Sequence, residues 1–434
     1  MKNFFLEFIL GCTPSWMYRN PKYLAYILEL ANTLPATSWH KIQKARLKNI
    51  LRTARGTPYW ESVFEKLHFE PRLISDKKFY QLPIITRSDL KKCREAFQVK
   101  TSNLKHRVRT TTSGSTAEPL EFFRDSREFV WREAGVIYEF SEFGFTLDKP
   151  ALILGLKTHQ QLNSFGTRFS ETDIENDKTR KNQLYRFINN ANPSAIIGTP
   201  TNLKRLAHFL KLDGFFCSAK IIRTVGEQLT PTDRDYLRNI YQGKIFSNYG
   251  TRECSSIALE CKRGNFHLTP WVNYAEIIDD DGNTLPEEVN GRIVVTYFHN
   301  FVMPFIRYDI GDRGVIRTEP CPCGKQTKTI TFTGRSATSI ETPSGKFVSF
   351  IGINSLIAKY FHREIKKFQL EQVSQDKFIF RFAPSEYYVE NSDTRLLASL
   401  KDIFHNEVSC TIEKVPFIMP NKDGKTPPFI KNFK

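Results

Sequence analysis

At residues 111–119 the chain reads Thr111-Thr112-Ser113-Gly114-Ser115-Thr116-Ala117-Glu118-Pro119, a run of hydroxyl side chains around one glycine. Val108 and Thr110 precede it and Leu120-Glu121-Phe122-Phe123 follows it, so the pattern predicts a loop that joins two strands. Backbone N–H groups and hydroxyls in such a loop can donate to phosphate oxygens. The stretch lacks the lysine of a Walker-type loop. If the loop binds phosphate, other segments must therefore supply the positive charge. The alternative interpretation is that this stretch is an ordinary surface turn.

Length and charge limit the classes of protein to be considered. With 434 residues the chain is long enough for two domains. Its 63 Lys and Arg residues against 46 Asp and Glu give a formal net charge of +17, spread along the chain. Nucleotides, an anionic polysaccharide or an anionic membrane surface are plausible partners. The sequence shows no nucleic-acid-binding motif, so we expect no nucleic-acid partner.

The N-terminus has a short apolar run that Glu7 interrupts. This pattern predicts an amphipathic helix in a cytoplasmic protein rather than a signal peptide. No stretch is long and apolar enough to cross a membrane. Any membrane association would therefore be peripheral, at the inner face of the membrane.

Short apolar runs that alternate with helical sequence predict an α/β fold with βαβ units. Ala151-Leu152-Ile153-Leu154 and Ala195-Ile196-Ile197-Gly198 are typical of buried parallel strands. Ile221-Ile222-Arg223-Thr224-Val225 runs into Gly226-Glu227, and Lys244-Ile245-Phe246-Ser247-Asn248 runs into Tyr249-Gly250. Ligands of open α/β sheets bind at the carboxyl ends of such strands. The two glycine-bearing ends are therefore candidate site segments beside the hydroxyl loop.

The rest of the chain adds further candidates. Tyr249-Gly250-Thr251-Arg252-Glu253 combines an aromatic face, a hydroxyl and a carboxylate suited to Mg²⁺. Gly311-Asp312 follows Ile306-Arg307-Tyr308, and a carboxylate after a tight turn can accept both hydroxyls of a ribose. Gly334-Arg335 and Gly424-Lys425 supply cations. Aromatic residues on a predicted helix before residue 144 either line a substrate pocket or belong to the core, namely Tyr138, Phe140 and Phe143.

Taken in order, these segments resemble the adenylate-forming superfamily, and most of all the phenylacetate-CoA ligase branch with its CapK-like and coenzyme F390 synthetase-like members. The resemblance runs from about Tyr59 to Lys425. It implies a large multi-layer N-terminal adenylation domain at residues 1–334 and a small C-terminal α+β lid domain at residues 335–434. It also implies ATP and Mg²⁺ as cofactors.

The resemblance implies a role for each matching residue. Glu253 would hold Mg²⁺, Asp312 would bind the ribose, and Arg335 would contact ribose or phosphate at a hinge between the domains. Lys425 would bridge the carboxylate and the α-phosphate during adenylation. The remaining nucleotide-binding residues would be Thr112, Ser113, Gly114, Ser115, Thr116, Gly226, Glu227, Asn248, Tyr249, Gly250 and Thr251.

The chain departs from the family pattern at three points. Ala117 stands where the loop usually has a second glycine, and Ala337 or Thr338 where the hinge usually has an aspartate. Arg252 precedes the carboxylate of Glu253 in place of a hydroxyl residue. These departures concern domain rotation and thioester formation more than adenylation.

Most of the eight cysteines are far apart in the sequence, which indicates reduced thiols rather than a disulfide framework. One group stands out, because three thiols and one imidazole suit a structural zinc ion. Its members are Cys261, His267, Cys321 and Cys323, with Cys254 as a substitute ligand. The phenylacetate-CoA ligase branch often shows a similar pattern, and unliganded buried thiols are the alternative.

The predicted function is that of an ATP-dependent, AMP-forming carboxylate ligase. The substrate would be a small carboxylic acid, and the acceptor an amine, a sugar or the thiol of coenzyme A. An amide ligase in capsular or surface polysaccharide biosynthesis is the first interpretation, and an aryl- or acyl-CoA ligase is the second. The alternative outside the enzymes is a scaffold protein that binds a nucleotide but catalyses no reaction.

Overall fold

A computed structural model describes most of the chain. The described residues are 2–12, 19–73, 75–100, 106–111, 120–144, 149–154, 166–169, 178–227, 229, 231–335, 339–344, 347–350, 353, 356–357, 360–361, 364–389, 391–418 and 429–432.

The helices are, in chain order, α1 (Lys2–Cys12), α2 (Pro21–Ala31), α3 (Ala36–Ala54), α4 (Pro58–Lys66), α5 (Asp76–Phe79), α6 (Arg87–Lys92), α7 (Glu128–Glu142), α8 (Lys178–Ala191), α9 (Pro200–Leu212), α10 (Pro231–Tyr241) and α11 (Ser392–Ile403).

The strands are β1 (Arg107–Thr111), β2 (Glu121–Asp125), β3 (Ala151–Leu154), β4 (Gly166–Phe169), β5 (Ala195–Gly198), β6 (Ile221–Val225), β7 (Lys244–Thr251), β8 (Ser255–Glu260), β9 (Phe266–Leu268), β10 (Asn273–Ile278), β11 (Gly291–Tyr297), β12 (Tyr308–Arg317), β13 (Thr329–Arg335), β14 (Ser339–Glu341), β15 (Phe347–Ser349), β16 (Ile365–Gln372), β17 (Lys377–Pro384), β18 (Ser409–Lys414) and β19 (Phe429–Lys431).

An eleven-stranded sheet has the order β10-β11-β12-β13-β9-β8-β7-β6-β5-β3-β4. Strands β3 to β7 pair in parallel, and α9 and α10 connect β5 to β6 and β6 to β7. The predicted βαβ units and α/β class are therefore confirmed. From β7 onward the sheet continues through antiparallel pairs of β7 with β8, β8 with β9 and β9 with β13. The sequence analysis did not predict this antiparallel half.

Helices cover both faces of the parallel strands. On one face α8, α9 and α10 pack against the sheet through a cluster that includes Leu184, Leu206, Leu237 and Ile222. On the other face the end of α7 packs on Phe246 and other strand residues. The aromatic residues of α7 belong to this packing: Phe143 stacks on Phe246 with ring centroids 4.3 Å apart.

The chain divides into two compact units. The first contains most of the residues before Phe332. The second consists mainly of Phe332–Lys434 and also includes Gly311–Arg313. Within the second unit, β18, β17, β16 and β19 form a four-stranded sheet, and α11 packs on it through Leu396 and Leu400.

Side-chain caps mark the start of three helices before the first strand. Asn20 caps α2 and Thr57 caps α4, each followed by proline in the first turn. Thr86 and Asp89 form a capping box on α6, and Thr86 N donates to Asp89 Oδ2 over 2.8 Å. The predicted amphipathic helix at the N-terminus is α1. None of the described helices has both the length and the apolar character needed to cross a bilayer.

Candidate active site

The hydroxyl loop is flanked by an antiparallel strand pair. Strands β1 and β2 pair so that Thr111 lies opposite Glu121, which confirms the prediction that the loop joins two strands. Thr112, Ser113, Gly114, Ser115 and Thr116 lie outside the described residues. At the base of the loop, Arg252 Nη1 donates to the carbonyl oxygen of Thr111 over 2.6 Å. The departure at position 252 therefore ties the loop's first residue to the segment after β7.

The carboxylate of Glu253 is buried, with 6% of the residue exposed, just after the end of β7. Tyr308 Oη donates to Glu253 Oε1 over 3.3 Å, and Arg87 Nη1 lies 3.6 Å from the same oxygen. Burial raises the pKa of Tyr308, so its hydroxyl keeps the proton it donates. Both contacts reach Oε1, and among the described residues no contact to Oε2 is recorded, so Oε2 is the oxygen suited to a cation.

The ends of β6 and β7 bring two predicted segments together. Val225 pairs with Asn248 in parallel, so Gly226 and Glu227 emerge beside Tyr249. Gly226 has φ +75°, the left-handed conformation that glycine adopts without strain. A Cβ on Gly250 would lie 2.1 Å from the carbonyl oxygen of Ser255, so the β-bulge at Tyr249/Gly250 requires glycine. This corner offers a ring, backbone groups and the Thr251 hydroxyl to one ligand.

Asn248 faces the helical layer. Its Nδ2 donates to Glu139 Oε1 over 3.0 Å and to Ser256 Oγ over 2.7 Å. It therefore links the β7 segment to α7 and β8. Thr251 Oγ1 accepts a hydrogen bond from Cys254 N over 3.0 Å, which fixes the turn that carries Glu253.

Three predicted residues belong to the second unit or its edge. Asp312 is partly exposed in β12, directly after Gly311 with φ +79°. Arg335 is the last residue of β13. Lys425 lies outside the described residues.

The aromatic residues of α7 are core rather than pocket. Tyr138 and Phe140 are buried, and Tyr138 Oη donates to Asn32 Oδ1 over 2.5 Å. Of the two interpretations open for these side chains, the structure supports the core.

The cysteine and histidine residues form a compact cluster. The Sγ atoms of Cys261, Cys321 and Cys323 and a ring nitrogen of His267 all lie within 4.8 Å of one another. Cys261 Sγ and Cys321 Sγ are 3.9 Å apart, close to the ~3.8 Å between thiolates that tetrahedral zinc with Zn–S bonds of ~2.3 Å requires. Cys254 is not a member of this group of described residues.

The surroundings orient the cluster for metal binding. His267 Nδ1 lies 2.9 Å from the carbonyl oxygen of Thr327, while Nε2 points to Cys323 Sγ at 3.2 Å. Burial lowers the pKa of His267 to about 4, so the ring is neutral at physiological pH, as a metal ligand must be. Strand β9, which carries His267, pairs with β13 just after the Cys321 turn. The donor set and its geometry fit zinc.

The sequence analysis missed residues that the fold brings to Glu253. Arg87 starts α6, some 165 positions earlier in the chain. An isolated β-bridge pairs Ile85, two residues before Arg87, with Tyr308, whose hydroxyl donates to Glu253. The bridge therefore brings the start of α6 to the Glu253 carboxylate. Nothing in the sequence before α6 indicates which strand that segment joins.

Comparisons with known proteins identify the fold. No family model and no curated sequence matches the chain. A 2-hydroxyisobutyryl-CoA ligase in the postadenylation state, in complex with R3-HIB-AMP, matches with a TM-score of 0.75 at 16% identity over 92% of this chain and 91% of that one. The amide bond synthetase McbA from Marinactinospora thermotolerans matches with a TM-score of 0.54 at 15% identity, over 76% and 68% of the two chains.

An ATP-bound RpMatB-BxBclM chimera also matches, with a TM-score of 0.51 at 15% identity over 73% of this chain and 66% of that one. These likenesses show that the chain has the fold of the adenylate-forming ligases. More particularly, the chain has over nearly its whole length the fold of a ligase that has been crystallised with an acyl adenylate.

Proposed function

We propose that this protein is an ATP-dependent, AMP-forming carboxylate ligase. The observation that carries the proposal is the buried carboxylate of Glu253 at the end of β7, beside the Gly226 and Tyr249 segments. A buried carboxylate with one oxygen available is suited to a divalent cation. The fold supports the same conclusion, because structures of this fold hold acyl adenylates.

The reaction has two steps. A carboxylate oxygen of the substrate attacks the α-phosphorus of ATP, and the bond from that phosphorus to the bridging oxygen breaks to release pyrophosphate. The acceptor nitrogen or sulfur then attacks the acyl carbon, loses its proton and expels AMP. Mg²⁺ on Glu253 would neutralise phosphate charge. Lys425 would stabilise the charge that develops on the α-phosphate and the attacking carboxylate.

The remaining residues would hold the nucleotide. Thr112, Ser113, Gly114, Ser115 and Thr116 would donate to the phosphates. The adenine would bind between Gly226-Glu227 and the Asn248-Tyr249-Gly250-Thr251 segment, with its ring stacked on Tyr249. Asp312 would accept the ribose hydroxyls, and Arg335 would contact ribose or phosphate.

For the acceptor we propose an amine, with an amide product in surface polysaccharide biosynthesis, as in the CapK-like proteins that the sequence resembles. The similarity to an amide bond synthetase supports an amine acceptor. The similarity to a CoA ligase supports coenzyme A as the second candidate. The net charge of +17 suits an acidic sugar or nucleotide-sugar substrate.

We also propose that Cys261, His267, Cys321 and Cys323 hold a structural zinc ion, since their donor atoms already lie at the spacing of a tetrahedral site. Bound zinc would join the turn between β12 and β13 to β8 and β9. It would take no part in the reaction.

We also propose that the protein associates peripherally with a membrane, with α1 lying on an anionic bilayer surface. Phe4, Phe5 and Phe8 are 75%, 57% and 57% exposed, while Leu6 and Leu10 of the same helix are buried. Three neighbouring phenyl rings on a positively charged protein are suited to the interfacial region of such a bilayer.

The test of the main proposal is ATP–pyrophosphate exchange with a panel of aromatic acids, amino acids and uronic acids. Exchange with at least one acid, lost in Glu253→Gln, is the expected result. Product formation is then measured with amines and with coenzyme A to identify the acceptor. Tight ATP binding without exchange for any acid would favour the nucleotide-binding scaffold and contradict the proposal.

A further inference from the structure

One face of α7 carries charged residues and a glycine instead of apolar side chains. Glu128, Arg132, Gly135 and Glu139 are spaced by four, three and four residues, so they lie on one side of the helix. This side faces β2, β6 and the end of β7, because its residues contact side chains on those strands. The space along this side of the helix is the α7 recess.

Both carboxylates on this face already have partners. Glu128, which is fully buried, is ion-paired with Arg124 of β2 and accepts a hydrogen bond from Tyr297 Oη over 3.1 Å. Glu139 is ion-paired with Arg223 of β6 and accepts a hydrogen bond from Asn248 Nδ2 over 3.0 Å. Each carboxylate thus contacts one arginine and one further donor. Burial raises the pKa of Glu128, and the charges of Arg124 and then Arg132 act against this rise.

Arg132 is the third arginine of the group, and no described residue forms a hydrogen bond or ion pair with it. Its guanidinium lies 5.8 Å from the ring centroid of Phe129. Burial, and next the charge of Arg124, lower the pKa of Arg132 to about 10, and Arg223 contributes in the same direction. Arg132 therefore stays protonated at neutral pH. Three guanidinium groups face two carboxylates, which leaves one positive charge in excess.

Space is available beside this charge. A Cβ built on Gly135 would meet no atom of the described residues within 4 Å, although Gly135 lies in the middle of α7. Glycine in a helix interior is less favourable than alanine, and none of these described neighbours requires it. Arg132 itself is partly exposed. A protonated, partly exposed arginine next to open space has the properties of a binding recess for an anion.

The recess adjoins the candidate active site. Asn248, which contacts Glu139, directly precedes Tyr249. At the other end, Arg252 donates to Thr111 of β1, and β1 pairs with β2, the strand that carries Arg124. Arg252 in turn precedes Glu253. A small molecule with its reacting carboxylate near Glu253 can therefore extend along α7 toward Arg132.

We propose that the α7 recess binds a second anionic group of the carboxylic acid substrate, through an ion pair with Arg132. The substrate is thus a dicarboxylate or a carboxylate that also carries phosphate, rather than an acid with an apolar tail. This inference rests on the proposed ligase activity, whose substrate it narrows.

The experiment compares three acids of matched length in ATP–pyrophosphate exchange: butyrate, succinate and 3-phosphonopropionate. We expect kcat/KM to be roughly 10-fold to 100-fold higher for at least one of the two doubly anionic acids than for butyrate, as for a hydrogen bond to a charged group. Whether succinate or 3-phosphonopropionate is preferred identifies the second anion as carboxylate or phosphate.

Arg132→Gln should remove this preference through a higher KM and leave butyrate exchange unchanged. The control is Arg238→Gln, which alters an exposed arginine on α10 and should leave all three acids unaffected. Gly135→Leu gives a second, steric test. It should raise KM for the preferred acid without lowering the thermal midpoint, because its side chain enters open space.

Equal exchange with butyrate and both doubly anionic acids would overturn the inference and leave the ligase proposal intact. An equal loss for all three acids in Arg132→Gln would also overturn it, since the residue would then serve the fold. Absence of exchange with every acid of the wider panel would contradict the ligase proposal itself, and the inference with it.

Discussion

Substitution of Glu276 by glutamine is expected to destabilise the first unit by about 3–5 kcal/mol. Glu276 and Arg307 form a buried ion pair at 3.1 Å, and their side chains are only 1% and 2% exposed. Arg307 Nη1 also donates to the carbonyl oxygens of Tyr80 and Leu82, so the guanidinium cannot move to solvent without loss of these bonds. Glutamine keeps the volume but removes the only negative charge described in contact with this arginine.

The size of the effect follows from desolvation. A buried charge that loses its partner is strongly destabilising, whereas an exposed one is compensated by water. Because whole domains are stable by about 5–15 kcal/mol, the loss would be a large part of the total. Replacing both partners by methionine should recover only part of it, because the carbonyl oxygens of Tyr80 and Leu82 then lose their donor.

The assay is urea unfolding followed by tryptophan fluorescence. All five tryptophans, at positions 16, 39, 60, 131 and 271, precede Phe332, so the signal reports the first unit alone. The control is Glu288→Gln, which breaks an exposed ion pair with Arg317 and should leave the midpoint almost unchanged. If Glu276→Gln shifted the midpoint no more than this control, the reasoning about the buried charge would be refuted.

The remaining predictions concern the site and its surroundings. Glu253→Gln should abolish ATP–pyrophosphate exchange while the fold is retained, because the Tyr308 hydroxyl can still donate to the amide oxygen. Lys425→Ala should abolish exchange with ATP binding largely kept, as measured by calorimetry. Cys323→Ser should lower the zinc content of protein purified without added metal, measured by elemental analysis. Serine in place of all three exposed phenylalanines of α1 should reduce sedimentation with vesicles that contain anionic lipid.

Each of these has a control and a contrary outcome. Normal exchange in the Glu253 or Lys425 variant would remove that residue from its role. Cys217 is buried outside the cluster, so Cys217→Ser should keep the metal, and wild-type protein without stoichiometric zinc would contradict the site. Phe417→Ser is the control for α1, because it removes a similarly exposed ring from the second unit. If this variant lost vesicle binding and the α1 variant kept it, α1 would be excluded as the membrane contact.

Local patterns predicted what depends on neighbours in the sequence. The strands on either side of the hydroxyl loop and the βαβ units each follow from residues a few positions apart. The cysteine cluster was also predicted, although its two halves are about sixty residues apart, because thiol and imidazole groups limit the alternatives.

The sequence did not reveal features that depend on the tertiary fold. The antiparallel strands from β8 onward have no helices between them to mark them as a sheet that continues the parallel one. The spacing of Glu128, Arg132 and Glu139 along α7 can be seen in the sequence. Only the fold shows that Arg124 forms an ion pair with Glu128 and Arg223 with Glu139. The sequence left open whether the aromatic residues of the same helix line a pocket or belong to the core, because burial in a core and burial by a ligand select the same side chains.

The hydrogen bond from Arg252 to Thr111 has a consequence for protein engineering. A designer who transfers the hydroxyl loop from a relative would ordinarily treat residues 111–119 as the complete cassette. Here the carbonyl oxygen of the loop's first residue accepts a hydrogen bond from a side chain 141 positions later in the chain. The segment to be transferred therefore includes position 252 as well. Libraries that vary the loop should therefore vary Arg252 together with it, and loop exchanges that leave Arg252 unchanged will underestimate how many sequences the scaffold tolerates.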